Sequence, residues 1–261
     1  MPSIALTIAG SDPSGGAGVQ ADLKTFHAFG VYGTAVITTL TAQDTTGVHE
    51  VVSLDARFVG AQLDAVLGDL SVGAAKTGLI GTVALVEVIA ARLGARPVPL
   101  VVDPVMVAST GRRLVDAGVL AAMRDRLVPL ATLVTPNLAE AEALTGRRVN
   151  DVAGMRDAAR ALVDRGAGAA LVTGGHLDGP PRDVLLVDGD FHELSAARID
   201  IRAHGTGCTL SAAVAAGLAA GRTLPEAVAR AKRYVTRALE TAVDVGRGLR
   251  PLNHLVRSDD P

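Results

Sequence analysis

Residues 98–144 read VPLVVDPVMVASTGRRLVDAGVLAAMRDRLVPLATLVTPNLAEAEAL, and this stretch decides the fold class. Residues 98–103 form a continuous apolar run that ends in a carboxylate, Asp103. Helical spacing follows over about 116–127, then a second short apolar run at 132–134, then a short helix over 138–144. Runs apolar at every position belong to strands buried on both faces, and intervening helices make such strands parallel. The unit is therefore strand–helix–strand–helix, the repeat of a parallel sheet covered on both sides.

The same alternation extends outward in both directions. Towards the N-terminus the pattern predicts strands at 4–9, 34–42, 50–54 and 73–76, with helices at 16–29, about 55–70 and 82–93. Towards the C-terminus it predicts a helix from the Asn150–Asp151 cap to about Gly166 and a strand at 169–172. A hairpin of 183–187 and 191–195 should turn at Asp188-Gly189, a dipeptide suited to positive φ. A small-residue helix at 205–220 and a final helix opened by the Thr223-Leu-Pro-Glu226 capping box complete the chain. No linker or repeat interrupts this order, so one domain over 1–261 is expected, an α/β three-layer sandwich with a mostly parallel sheet and a small β edge element.

Composition narrows the function. Apolar residues make up 49% of the chain but aromatics only 2%, so the core must be aliphatic and close-packed. Net charge is −2, without basic clusters, which argues against nucleic acid or an anionic membrane as partner. Cys208 is the single cysteine, which excludes an intrachain disulfide and suits a reducing, cytoplasmic setting. No apolar stretch is long and uncharged enough to read as a membrane span.

Ligands on parallel sheets bind beyond the carboxyl ends of the strands, and the unusual clusters fall in those loops. Residues 9–26, AGSDPSGGAGVQADLKTF, place Gly15, Gly16 and Gly18 between a strand and a helix, where backbone can approach a ligand. The Gly16-x-Gly18-x-x-Ala21 spacing also matches a dinucleotide fingerprint weakly, because six residues intervene after the strand. Residues 204–213, HGTGCTLSAA, put Gly205, Thr206 and Gly207 ahead of free helix amides, a cradle for phosphate. Cys208 lies in that field, which should lower its thiol from about 8.5. Paired instead with His204, it would suggest a cysteine hydrolase. Asn137 and Glu140 have capping-box spacing at a strand end, and Glu140 could also order water around Mg²⁺. Asp103 is placed to approach a metal or a phosphate ligand. None of the three lysines follows a glycine, so a P-loop is absent.

Together these segments closely resemble the hydroxymethylpyrimidine/phosphomethylpyrimidine kinases of thiamin biosynthesis, within the ribokinase-like superfamily. The resemblance runs through TIAGSDPSGGAGVQADLKTF, TAQDTTGV, AAKTG, VVDPVMVA, TPNLAEAEALTG, GGH and HGTGCTLSAA. It implies a ribokinase-like fold and transfer of phosphate from ATP, with Mg²⁺ and in some members a monovalent cation, to a small aminopyrimidine alcohol and then to its monophosphate. It implies that Gln43 hydrogen-bonds the pyrimidine, assisted by Asp22 and backbone near Gly10 and Leu79. Asn137, Asp103, Thr173 and Gly175 would hold ATP phosphates, with Glu140 and Asp103 reaching Mg²⁺ through water. Residues 205–208 would form the anion hole, with Cys208 as the base. A homodimer is expected by the same analogy. Members often carry Lys where Thr173 stands, and Arg112 is a candidate replacement for that phosphate ligand. Readings kept open are a pyridoxal kinase on the same fold, a dinucleotide-dependent oxidoreductase and a non-catalytic pyrimidine-binding protein.

Overall fold

A computed structural model describes residues 2–175, 177, 179–201 and 203–258. Nine strands form one sheet: β1 (Ile4–Ser11), β2 (Tyr32–Gln43), β3 (Val48–Ser53), β4 (Ala74–Thr77), β5 (Leu100–Val102), β6 (Leu133–Val134), β7 (Ala169–Gly174), β8 (Arg182–Val187) and β9 (Asp190–Ser195). Their order is β3-β2-β1-β4-β5-β6-β7-β8-β9. The six strands from β2 through β7 in that order are parallel neighbours, while β3, β8 and β9 pair antiparallel at the two edges. The fold class expected from the apolar runs is the one observed.

Helices α1 (Gly18–Ala28), α2 (Ala56–Asp69), α3 (Val83–Gly94), α4 (Ala117–Ala122), α5 (Leu138–Thr145), α6 (Val152–Asp164), α7 (Thr206–Ala219) and α8 (Leu224–Glu240) cover the sheet. Alternation along the strands divides the core in two. Leu6, Ile8, Leu100, Val102 and Val134 pack with Val59, Leu63, Ile89 and Leu162 of α2, α3 and α6. Ala5, Val101 and Leu133 face the opposite way, onto Phe26 of α1, the alanines of α7 and Tyr234 of α8. This side is thin because α7 presents Ala212, Ala213, Ala215 and Ala216, all fully buried. An added Cβ at Gly217 would meet Ala227 Cβ at 2.8 Å, so α7 and α8 approach at glycine distance.

Local chemistry placed most helix starts. The carboxylates of Asp55, Asp116 and Asp151 accept from Phe58 N at 3.2 Å, Val119 N at 2.9 Å and Gly154 N at 2.7 Å. Asp188 and Gly189 both take positive φ, 52° and 86°, as the expected hairpin turn requires. Two features had no sequence signal. Helix α4 passes into a π turn, Met123–Leu127, and a two-stranded parallel ribbon joins β10 (Ala203–His204) to β11 (Arg250–Pro251). That ribbon brings a C-terminal segment beside the second glycine-rich loop.

Candidate active site

The two glycine-rich loops meet over the carboxyl end of the sheet. Asp12 organises the first. Its carboxylate accepts from Ser14 N at 2.9 Å, Ser14 Oγ at 2.7 Å and Ala17 N at 2.9 Å, and contacts His204 Nε2 at 2.9 Å. These amides are therefore engaged inside the loop, and Gly15 N donates to Asp12 O at 2.9 Å. The open amide cradle expected of residues 15–18 is filled by the chain itself.

The second loop keeps its helix start open. Gly205 adopts φ 86°, and a Cβ there would lie 1.9 Å from Gly16 O, so only glycine fits where the loops cross. Thr206 and Gly207 are exposed, and a Cβ on Gly207 would meet nothing within 4 Å. The amides at the start of α7 have no intrahelical acceptor and carry the positive end of the helix dipole. An anion fits there.

Beneath this helix start lies a charged cluster that the sequence reading did not assemble. Lys76, fully buried on β4, donates to Asp22 Oδ1 at 3.2 Å and lies 3.8 Å from Asp103 Oδ2. Thr7 Oγ1 donates to Asp22 at 2.6 Å, and the single Ser211 O–H lies between two acceptors, Asp103 Oδ2 at 2.9 Å and Cys208 O at 3.0 Å. Burial alone would lower the Lys76 ammonium, but Asp22, Cys208 and Asp103 together raise it. Burial raises both carboxyls despite the lysine. The signal for Lys76 was available: a lysine inside the apolar run GAAKTG must be paired if that run is a buried strand.

This cluster corrects two expectations. Asp22 has no solvent exposure, so in this structure it offers no surface to a pyrimidine ring and serves Lys76 instead. Cys208 is partly buried, and its sulfur accepts from the Gly18 amide. Desolvation pushes its thiol up to about 12, against the pull of Lys76 and with a further rise from Asp103 and Asp22. The expected lowering by the helix dipole does not prevail, because desolvation of the thiolate costs more than half a dipole charge returns.

Asn137 and Glu140 form the full capping box, with Glu140 N donating to Asn137 Oδ1 at 3.0 Å and Asn137 N to Glu140 Oε2 at 2.9 Å. Glu140 is 8% exposed, and burial followed by repulsion from Asp103 pushes its carboxyl up to about 8. Two buried carboxylates in mutual repulsion suit a hard divalent cation. Among the described residues no group of three or more His, Cys, Asp or Glu could hold one alone, so Mg²⁺ would share water and phosphate oxygens with Asp103 and Glu140. A raised acid pKa means that stability is fully present below about 4.5 and is lost as pH rises through about 8. In the absence of divalent ions, Glu140→Gln should leave Tm near wild type at pH 5 and raise it by about 5 °C or more at pH 9. Equal shifts at both pH values in thermal melts would count against the buried-carboxyl account.

Thr173 N donates to Pro136 O at 2.9 Å, and a bridge joins Thr173 to Asn137, so β7 delivers Thr173 beside the capping box. Gly175 is exposed next to it; Arg198 Nη1 reaches Gly175 O at 3.3 Å. His176 of the quoted GGH segment lies outside the described residues. Arg112 is not aimed at a phosphate here. Its Nη1 donates to Val48 O at 2.7 Å and His49 O at 3.0 Å, tying its loop to β3. A Cβ on Gly10 would lie 3.2 Å from Leu79 Cδ2, and Leu79 O accepts from Thr38 Oγ1 at 2.6 Å. Gln43 Nε2 lies 3.0 Å from His204 Nε2. His204 thus faces Asp12 and Gln43, while the sulfur of Cys208 faces Gly18, which removes the geometry of a Cys–His hydrolase.

Residues 12–253 match the family model described as phosphomethylpyrimidine kinase. The chain belongs to that family. It is 51% identical to the hydroxymethylpyrimidine/phosphomethylpyrimidine kinase of Rhizobium meliloti, over 98% of each chain. It is 48% identical to the thiamine biosynthesis bifunctional protein ThiED of Geobacter sulfurreducens over 98% of this chain, which spans only 53% of that longer protein. Among solved structures it resembles the ADP complex of Bacillus subtilis pyridoxal kinase, with a TM-score of 0.92, 38% identity and 98% of each chain covered. The chain is an ATP-dependent kinase with the ribokinase-like fold that its motifs implied.

Proposed function

We propose that this kinase transfers the γ-phosphoryl group of ATP to 4-amino-5-hydroxymethyl-2-methylpyrimidine and then to the resulting monophosphate, in thiamin biosynthesis. One observation carries the reading. The open start of α7, with Gly205, Thr206, Gly207 and Cys208, stands above Asp103, on a strand neighbouring the one that leads to Asn137 and Glu140. Anion-binding amides, a candidate base and metal-binding carboxylates thus converge at the carboxyl end of the sheet.

The α7 amides hold the transferring phosphoryl group and neutralise charge as it passes. Mg²⁺, when bound, neutralises and orients the phosphate oxygens. Asn137, Thr173 and Gly175 line the ATP side, and Gln43, Gly10 and Leu79 the pyrimidine side. Cys208 receives the hydroxyl proton as the O–P bond forms. Its high pKa in the unliganded site makes it a thiol at neutral pH, so its deprotonation belongs to the loaded state. The protein acts in the cytoplasm as a homodimer. The β2–β3 edge supports this better than the Asp188 hairpin, because Leu40 and Val52 pair directly there at 44% and 50% exposure.

Pyridoxal is the second reading, favoured by the structural likeness to a pyridoxal kinase. ADP release with Mg·ATP separates the two, comparing the hydroxymethylpyrimidine, its monophosphate and pyridoxal. Turnover of both pyrimidines well above pyridoxal is expected. Turnover of pyridoxal alone would overturn the substrate assignment.

A further inference from the structure

His204 carries no role in the site as described, yet it sits between the two glycine-rich loops, against Asp12, and touches Gln43. His204 is 5% exposed. Its Nε2 lies 2.9 Å from Asp12 Oδ2 and 3.0 Å from the Gln43 amide. Its Nδ1 is buried with no partner among the described residues. The Asp12 carboxyl is pushed up by burial, but its bonds from His204 and Ser14 outweigh this and hold it below the usual range.

An ionised Asp12 only accepts, so the proton between it and His204 belongs to Nε2. The opposite tautomer would set a bare lone pair against a carboxylate and leave an orphaned buried N–H at Nδ1, the costlier defect. A protonated Nε2 has one N–H and no lone pair, so the Gln43 atom facing it must be the carbonyl oxygen, which shares that N–H with Asp12 in a three-centre bond. The other side of the amide agrees. Thr41 Oγ1 already donates to Ser11 O at 2.9 Å, so it can only accept from the Gln43 atom 3.3 Å away. That atom must be the amide nitrogen. Two independent neighbours therefore require the amide rotated so that oxygen faces His204 and NH₂ faces Thr41.

We propose that His204, oriented by Asp12, is a positioning residue that locks the Gln43 amide in this orientation and so determines ring specificity. The inference rests on the reading of Gln43 as a ring-binding residue. Locked this way, the amide keeps one free N–H and one free oxygen lone pair in a fixed order. The complement is an edge with one acceptor beside one donor: the amidine edge of a 4-aminopyrimidine, where ring nitrogen adjoins the amino group. A pyridine bearing a phenolic hydroxyl has no such edge. Without His204 only the 3.3 Å contact to Thr41 holds the amide, and the discrimination weakens.

The test is steady-state kinetics of wild type, His204→Leu and His204→Gln, whose amide nitrogen can replace Nε2–H. For His204→Leu, the KM for the hydroxymethylpyrimidine should rise about tenfold or more, the cost of one buried hydrogen bond left unmade. Its KM for ATP should stay unchanged, and the preference over pyridoxal should fall by a similar factor. His204→Gln should recover most of both. An unchanged pyrimidine KM in His204→Leu, or no recovery in a folded His204→Gln, overturns the inference. Because the leucine variant could fail to fold, ¹⁵N NMR of the wild-type imidazole is the second arm. A protonated Nε2 with bare Nδ1 is expected, and the reverse tautomer overturns the lock. Wild type with no aminopyrimidine turnover would instead overturn the functional reading, and the specificity claim with it.

Discussion

Replacing Cys208 by alanine should lower kcat by about 10²- to 10⁴-fold, the usual worth of a general base, with little change in the KM for ATP. The sulfur sits at the open start of α7, accepts from Gly18 N and feels the charge of Lys76. Alanine removes that acceptor while leaving the helix-start amides, so phosphate binding should survive. A loss confined to kcat is the signature of an interaction made only in the transition state. Serine should not rescue, because a hydroxyl surrenders its proton less readily than a thiol already held at about 12. If kcat stayed within about threefold of wild type, the base assignment would fail and positioning by the amides and metal would carry the reaction. A rise in KM alone would recast the thiol as a binding contact.

Lys76→Met should destabilise the fold by about 3–5 kcal/mol, the cost of removing one partner from a buried charge cluster, and lower Tm by about 6–20 °C. Methionine fills much of the volume, so the loss is electrostatic. Asp22 and Asp103, fully and nearly fully buried, would lose their counter-ion and bind protons more tightly. Their pKa values are already raised, and removing the ammonium raises them further. Stability from such groups is complete below the unfolded carboxyl range and disappears as pH rises through the folded values. The Tm deficit should therefore be small at pH 5 and large at pH 8. A deficit equal at both pH values would mean lost packing and sink the charge account. Arginine should not substitute, since a planar guanidinium does not fit a fully enclosed ammonium site. Activity should also fall, because Lys76 is the cation that opposes the rise of the Cys208 thiol.

The reading of the site divides along the range of the forces involved. Asn137 and Glu140 were legible because a capping box is closed within four residues. The turn at Asp188-Gly189 and the caps at Asp55 and Asp151 were legible for the same reason. Cys208 was found by its place before a helix, but its protonation was not. That depends on desolvation and on charges from β4, α1 and the end of β5, far apart in sequence. Asp22 was assigned to the substrate when it belongs to Lys76, 54 positions away. Arg112 was only a candidate phosphate ligand, and its guanidinium reaches carbonyls of β3, 63 and 64 positions away. His204 was weighed only as a partner for its near neighbour Cys208, yet its contacts lie 161 and 192 positions away on Gln43 and Asp12.

The sequence alone determined the layered α/β architecture, since continuous apolar strands and amphipathic helices bury their faces in only a few ways. It also marked two candidate phosphate loops, because glycines before a helix start expose amides locally, and the first of them is closed by its bonds to Asp12. Tertiary structure alone decided which carboxylate meets Lys76, whether Cys208 is a thiol, and which way the Gln43 amide is held. Those outcomes depend on distance and burial between strands adjacent in space but remote in the chain, and electrostatic energy follows separation in space rather than position in sequence.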